Sequence, residues 1–273
     1  MIQQQSVSTP ARMRQAVPIL TYHSLDESGS VISVAPRVFA EHMRLLARRG
    51  FLGITLSNLL DAWEGRVPLP PHPVVLTFDD GFANLLQHAA PVIWEHGFCA
   101  TVFAISGWCG RTNGWPTQGP GIPRLPLLAW SDLAQMATRG WEIGAHTINH
   151  PPLTRIPAQQ AHREIVGSKA AIEDRLGKPV TSFAYPYGLI SPPSYEIVRN
   201  HFRGACSVDL GVARACDDLH QLRRLDVYYF RSPIFFRLFG TVPGRAYTQL
   251  CGIGRMVRRT IVRAAEKNGN GRH

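Results

Sequence analysis

The feature that most constrains this chain is an alternation of short apolar runs with segments of helical period. Val17–Tyr22, Val74–Phe78, Ala100–Ile105, Trp141–Ala145 and Ser182–Tyr185 read as strands. Between them, Pro36–Arg49 sets Phe39, Met43, Leu46 and Ala47 on one face and Arg44, Arg48 and Arg49 on the other. Leu85–His96 and Ala158–Leu176 read as further helices, the second stopped by Gly177. Ser131 is the expected N-cap of a helix to Thr138, since its hydroxyl can accept an orphan backbone N–H. This order predicts an α/β domain built on a mainly parallel sheet. Gly107–Leu128, rich in Gly and Pro, is expected to be a long loop walling a substrate groove.

At 273 residues the chain suits one large domain. Its net charge of +10 is concentrated at one end: from Val227 to His273 there are nine Lys/Arg and one acid, Glu266. The remaining 226 residues carry 20 basic and 18 acidic side chains. The body therefore has no basic stripe of the kind that binds nucleic acid, and none is expected as a partner. Five cysteines without a CxxC pair read as buried free thiols, with a Cys206–Cys216 bridge as the alternative. Residues 1–16 are expected to be a flexible segment lacking the apolar core of a signal peptide, which together with the thiols suggests the cytoplasm.

Chemically capable residues fall just past the C-terminal ends of the expected strands: His23, Asp79 and Asp80, His146 and His150, and Tyr187. In barrels and open α/β sheets that edge is where sites form. Adjacent carboxylates at a strand end repel unless a cation compensates them. One carboxylate could hold a divalent ion while the other stays free as a base; an ordinary Asp-Gly turn is the bland alternative. His146-Thr-Ile-Asn-His150 can bring two imidazoles to one ion, and imidazole suits Zn²⁺. Asp80, His146 and His150 would be three protein ligands leaving an open position, the pattern of a catalytic metal site.

Thr77-Phe-Asp-Asp-Gly81, His146-Thr-Ile-Asn-His150 and Phe183-Ala-Tyr-Pro-Tyr-Gly188 resemble, in order and spacing, the first three motifs of the polysaccharide deacetylases, the carbohydrate esterase family 4 or NodB-homology proteins. The resemblance runs from about Val17 to Val227 and implies a single-domain distorted (β/α) barrel that hydrolyses an acetamide. It implies that Asp80, His146 and His150 hold the metal ion, Zn²⁺ above others, and that Asp79 is the general base. The backbone N–H of Tyr187 would help stabilise the oxyanion. An N-acetylated carbohydrate is the implied substrate, in a surface polysaccharide, glycoconjugate or lipid-linked precursor. An O-acetyl esterase and a carbohydrate-binding relic without turnover are the alternatives.

Two departures from the family pattern stand out. The Arg expected two residues before the Pro of the third motif, which orients the base, is Ala184 here. The Asp-rich fourth motif and the late Leu-x-His motif with its acid His are not found. Ile19-Leu-Thr-Tyr-His23 resembles the opening strand of a subgroup with a His lining the site, and His23 is the substitute acid; a surface His is the equal alternative. Leu222-Arg-Arg-Leu-Asp226 offers Arg223 or Arg224 as a replacement tether for Asp79, although an exposed basic pair is the expected state of both.

Residues 228–273 read as a basic amphipathic extension. Tyr247–Lys267 is expected to be helical, with Leu250, Ile253, Val257, Ile261 and Ala264 on one face and Arg255, Arg258, Arg259 and Arg263 largely off it. This face, with the apolar run Pro233–Phe239, has two readings: docking on the barrel, or a peripheral contact with an anionic membrane.

Overall fold

A computed structural model describes residues 16–244 and 246–254. Seven parallel strands close into a ring in chain order: Ile19–Tyr22, Pro73–Phe78, Thr101–Ala104, Glu142–Ala145, Ser182–Ala184, Gly204–Leu210 and Leu222–Asp226. The last returns to the first through Leu225 opposite Leu20 and Asp226 opposite Thr21. An extra strand, Leu52–Ile54, lies along the first half of Pro73–Phe78, with Ile54 opposite Val75. Thr101–Ala104 takes over that same edge from Thr77 onward. Two strands sharing one edge make the distortion of the barrel.

Strands buried on both faces read as near-continuous apolar runs, which is why they were legible. Side chains alternate between two cores. Ile19, Val75, Phe103, Ala184, Cys206 and Leu222 share one inside the ring. Leu20, Leu76, Val102, Phe183 and Ala205 belong to the larger one under the helices. Gly144 makes room for the inner layer: a Cβ there would lie 2.6 Å from the Phe103 ring.

The helix Ala158–Leu176 ends as expected, with Gly177 left-handed at φ 62°. Three expectations need correction. Leu85–His96 is two pieces, Leu85–His88 and Ala90–Glu95, because Pro91 lacks an N–H and crowds the preceding turn. Trp130–Thr138 is capped by the Asp132 carboxylate, which accepts the Ala129 N–H at 2.8 Å, rather than by Ser131. Val17 is not part of the first barrel strand; it pairs antiparallel with Ala213. The helices Leu56–Trp63 and Pro192–His201 and the strand Gly204–Leu210 carried too weak a pattern to be anticipated.

The apolar run after Val227 docks on the barrel. In the short helix Pro233–Arg237, the Phe236 ring stacks on His42 of the helix Pro36–Arg48, centroids 3.6 Å apart. Phe236 and Phe239 are buried, and Arg49 donates to the carbonyl oxygens of Arg237 and Phe239. Residues 246–254 are helical. There Tyr247 packs on Phe235 and Phe230, while Leu250 and Ile253 are exposed. Val257, Ile261, Ala264 and the arginines from Arg255 onward lie outside the described residues. No described helix is long and apolar enough to cross a membrane, and nothing among the described residues supports membrane contact. All five cysteines are unbridged; Cys206 is buried and Cys216 exposed, so the thiols are not uniformly buried as expected.

Candidate metal centre and active site

All the residues singled out at strand ends meet at one mouth of the barrel. The strand Pro73–Phe78 delivers Asp79 and Asp80, and Glu142–Ala145 delivers His146 and His150. Ile19–Tyr22 delivers His23, and Ser182–Ala184 leads to the turn Pro186–Gly188 that carries Tyr187. Asp79, Asp80, His146 and His150 are buried; His23 is partly open and Tyr187 is 40% exposed, so these two face the solvent side.

The backbone is held in unusual conformations there. Among the described residues five non-glycine residues have positive φ, and four of them belong to the site: Asp80 at 69°, Thr147 at 66°, His150 at 56° and Tyr187 at 58°. Each such residue costs on the order of 1–3 kcal/mol and persists only where its surroundings over-determine it.

Asp80, His146 and His150 converge as a possible ligand set among the described residues. Asp80 Oδ1 lies 3.4 Å from His146 Nε2 and 3.5 Å from His150 Nε2, and the two Nε2 atoms are 3.1 Å apart. For Zn²⁺ with ligands at 2.0–2.1 Å, the edges of a tetrahedron are about 3.3 Å, so this triangle fits the ion. His146 Nδ1 bonds the Ala184 carbonyl at 2.7 Å, which assigns its proton to Nδ1 and leaves the Nε2 lone pair aimed inward. Burial lowers the pKa of His150 to about 3, so its ring is neutral. The donor set therefore suits a divalent cation.

Asp79 stands beside the triangle and is held from behind. Arg224 grips it with two bonds of 2.7 Å, Nη1 to Oδ1 and Nη2 to Oδ2. The guanidinium also donates from Nε to the Ser207 carbonyl at 2.9 Å, and the side chain is 2% exposed. The expected exposed basic pair is thus corrected: Arg223 points out and Arg224 points in. Burial alone would raise the Asp79 pKa, but the charge and hydrogen bonds of Arg224 hold it well below the usual carboxylate range. His23 Nε2 lies 3.9 Å from Asp79 Oδ2, because the strand Ile19–Tyr22 sits between those carrying Asp79 and Arg224.

The loop after Gly107 forms one wall. Trp115 is buried with its ring 4.8 Å from that of His150. Thr117 Oγ1 donates to the His150 carbonyl at 3.0 Å, and the Tyr187 hydroxyl reaches the Thr117 carbonyl at 2.9 Å. Neither Trp115 nor Thr117 could be singled out in advance, because a loop carries no periodicity to place its side chains.

A closed parallel barrel with this ligand triangle at its C-terminal mouth defines a (β/α)-barrel hydrolase with a place for a metal ion. Residues 66–201 match the family model described as polysaccharide deacetylase, and the chain belongs to that family. It is 27% identical over 213 residues to YxkH of Bacillus subtilis (strain 168), a provisionally named polysaccharide deacetylase, covering 77% of this chain and 71% of that one. Over 202 residues it is 24% identical to the poly-β-1,6-N-acetyl-D-glucosamine N-deacetylase of Staphylococcus epidermidis, covering 70% and 67%. Among solved structures, the Streptococcus pyogenes deacetylase PplD in complex with acetate superposes with a TM-score of 0.69 at 21% identity, over 78% of this chain and 92% of that one. IcaB from Ammonifex degensii does so with 0.68 at 25%, over 86% and 97%.

Proposed function

We propose that this hydrolase removes N-acetyl groups from amino-sugar residues of a polysaccharide or lipid-linked glycan, releasing acetate and a free amine. The observation that carries this reading is the Asp80–His146–His150 triangle standing next to an ionised, Arg-tethered Asp79. The N-acetylglucosamine polymer named for the Staphylococcus relative supports an amide rather than an ester as the bond cut.

Asp80, His146 and His150 would hold one divalent ion, with Zn²⁺ favoured by the two imidazoles. When bound, the ion polarises the acetyl carbonyl and makes a water more acidic. Asp79 takes a proton from the attacking water as the C–O bond forms, and Arg224 keeps its carboxylate aimed. Tyr187 donates its backbone N–H to the oxygen that gains negative charge. His23 gives a proton to the nitrogen as the C–N bond breaks, from the open side of Asp79. Arg224 supplies the tether that Ala184 lacks, which favours turnover over a binding relic. The cytoplasm, inferred from the sequence, stays part of the proposal.

The deciding experiment is acetate release from a panel of N- and O-acetylated glycans by the zinc-loaded protein. Release from N-acetylated members supports the reading. Release from O-acetylated members alone makes the chain an esterase, and no release from any overturns catalysis.

A further inference from the structure

The segment Thr147–Asn149 between the two histidines is held by a residue outside every motif. Glu164, on the helix Ala158–Leu176, is 6% exposed. Its Oε2 accepts the Ile148 N–H at 2.9 Å and the Asn149 N–H at 2.8 Å. Its Oε1 accepts the Asn149 side-chain amide at 2.9 Å. No cation among the described residues forms an ion pair with it, so those three donors are what compensates a buried carboxylate.

The segment needs such a hold. Thr147 and His150 are both left-handed, and without restraint the backbone would relax and carry the His150 ring away from His146. On its far side the segment meets the turn Ser106–Trp108: Ser106 N–H donates to the Thr147 carbonyl at 3.1 Å and Gly107 N–H to the Ile148 carbonyl at 3.0 Å. Contact is close on both sides. A Cβ on Gly107 would lie 2.6 Å from the Ile148 oxygen, and one on Gly167 2.8 Å from Ile148 Cδ1. The turn fixes the carbonyls and Glu164 fixes the N–H groups. Left unpaired, those buried N–H groups would lose their hydrogen bonds to water with nothing in exchange.

We infer that Glu164 is a positioning residue for the metal site: it holds the loop Thr147–Asn149 in the conformation that keeps His150 Nε2 beside His146 Nε2. The inference rests on the proposed metal-binding role of these histidines. Length matters and charge does not, since a carbonyl oxygen at the same reach accepts both backbone N–H groups. Glu164→Gln keeps that reach, with the Asn149 amide free to turn over and accept from the new amide. Glu164→Asp keeps the charge but draws the oxygens back by one methylene.

The test measures the dissociation constant of Zn²⁺ alone, by competition with a chromogenic chelator, together with amide hydrogen exchange of the metal-free protein. Outer-shell substitutions typically loosen a metal by about 10–100-fold. E164D is expected to bind Zn²⁺ at least tenfold more weakly, with exchange at Ile148 and Asn149 accelerated ahead of the helix Ala158–Leu176. E164Q should stay within threefold of wild type on both counts. An E164D variant indistinguishable from wild type overturns the inference while leaving the metal site standing. So does an E164Q that loosens Zn²⁺ as much as E164D with unchanged exchange, because charge would then be the cause. Wild-type protein that binds no Zn²⁺ overturns the metal reading itself and the metal role of Glu164 with it.

Discussion

Arg224 holds Asp79 by both carboxylate oxygens, each at 2.7 Å, although 145 residues separate them in the chain. The pair is buried, and its forked geometry is one that only arginine offers. Removing one member of such a pair leaves an uncompensated charge and costs about 3–5 kcal/mol. Arg224→Met is therefore expected to lower the free energy of urea unfolding by that amount and to reduce kcat by about 10²-fold or more, as the base loses its aim. Arg224→Lys should recover part of the stability and little of the rate.

Stability of the metal-free protein should carry the signature of the same pair in its pH dependence. The folded-state pKa of Asp79 lies below its unfolded value of 3.8, so its contribution is present above pH 3.8 and is lost as the pH falls towards the folded pKa. With Arg224 gone, burial raises the Asp79 pKa, so the native variant takes up a proton that the native wild type does not. The difference in unfolding free energy between wild type and Arg224→Met is therefore expected to shrink as the pH falls through that raised pKa. A difference that widens on acidification would contradict the depressed pKa.

The ligand triangle makes a separate statement about ions. Zn²⁺ at about 100 times its dissociation constant should stabilise the protein by about 2.7 kcal/mol. His150→Ala or Asp80→Asn should abolish this gain and leave no ion by elemental analysis. Asp79→Asn should keep the ion and lose activity, because Asp79 is not part of the triangle.

His23 as proton donor predicts a dependence on the leaving group. His23→Ala should slow release of acetate from an N-acetylated sugar by about 10²-fold, the low end of general acid catalysis. With 4-nitrophenyl acetate, whose phenolate departs without a proton, the same variant should match wild type. Equal loss on both substrates would point to a positional role for His23 instead.

The docked segment after Val227 is also testable. Phe236 is 1% exposed and stacked on His42, so Phe236→Ala is expected to cost about 3–5 kcal/mol. Circular dichroism during thermal unfolding would show it as a lowered midpoint.

What the sequence determined by itself is what local pattern encodes. Buried parallel strands are apolar on both faces, so runs such as Val74–Phe78 announced themselves, and the residues just past them, Asp79, Asp80, His146, His150 and Tyr187, fell at one edge of the sheet. Ligand spacing within a single turn made the His146 and His150 pair visible as well. The tertiary structure alone decided whatever depends on which strands become neighbours. Closure of the barrel set Leu222–Asp226 beside Ile19–Tyr22 and turned Arg224 inward onto Asp79, while nothing local distinguished it from Arg223. Packing of the helix Ala158–Leu176 brought Glu164 to the Ile148 and Asn149 N–H groups, and the loop after Gly107 brought Trp115 to His150. Such contacts join residues far apart in the chain, and their geometry is fixed only when the barrel closes and the buried groups must find partners.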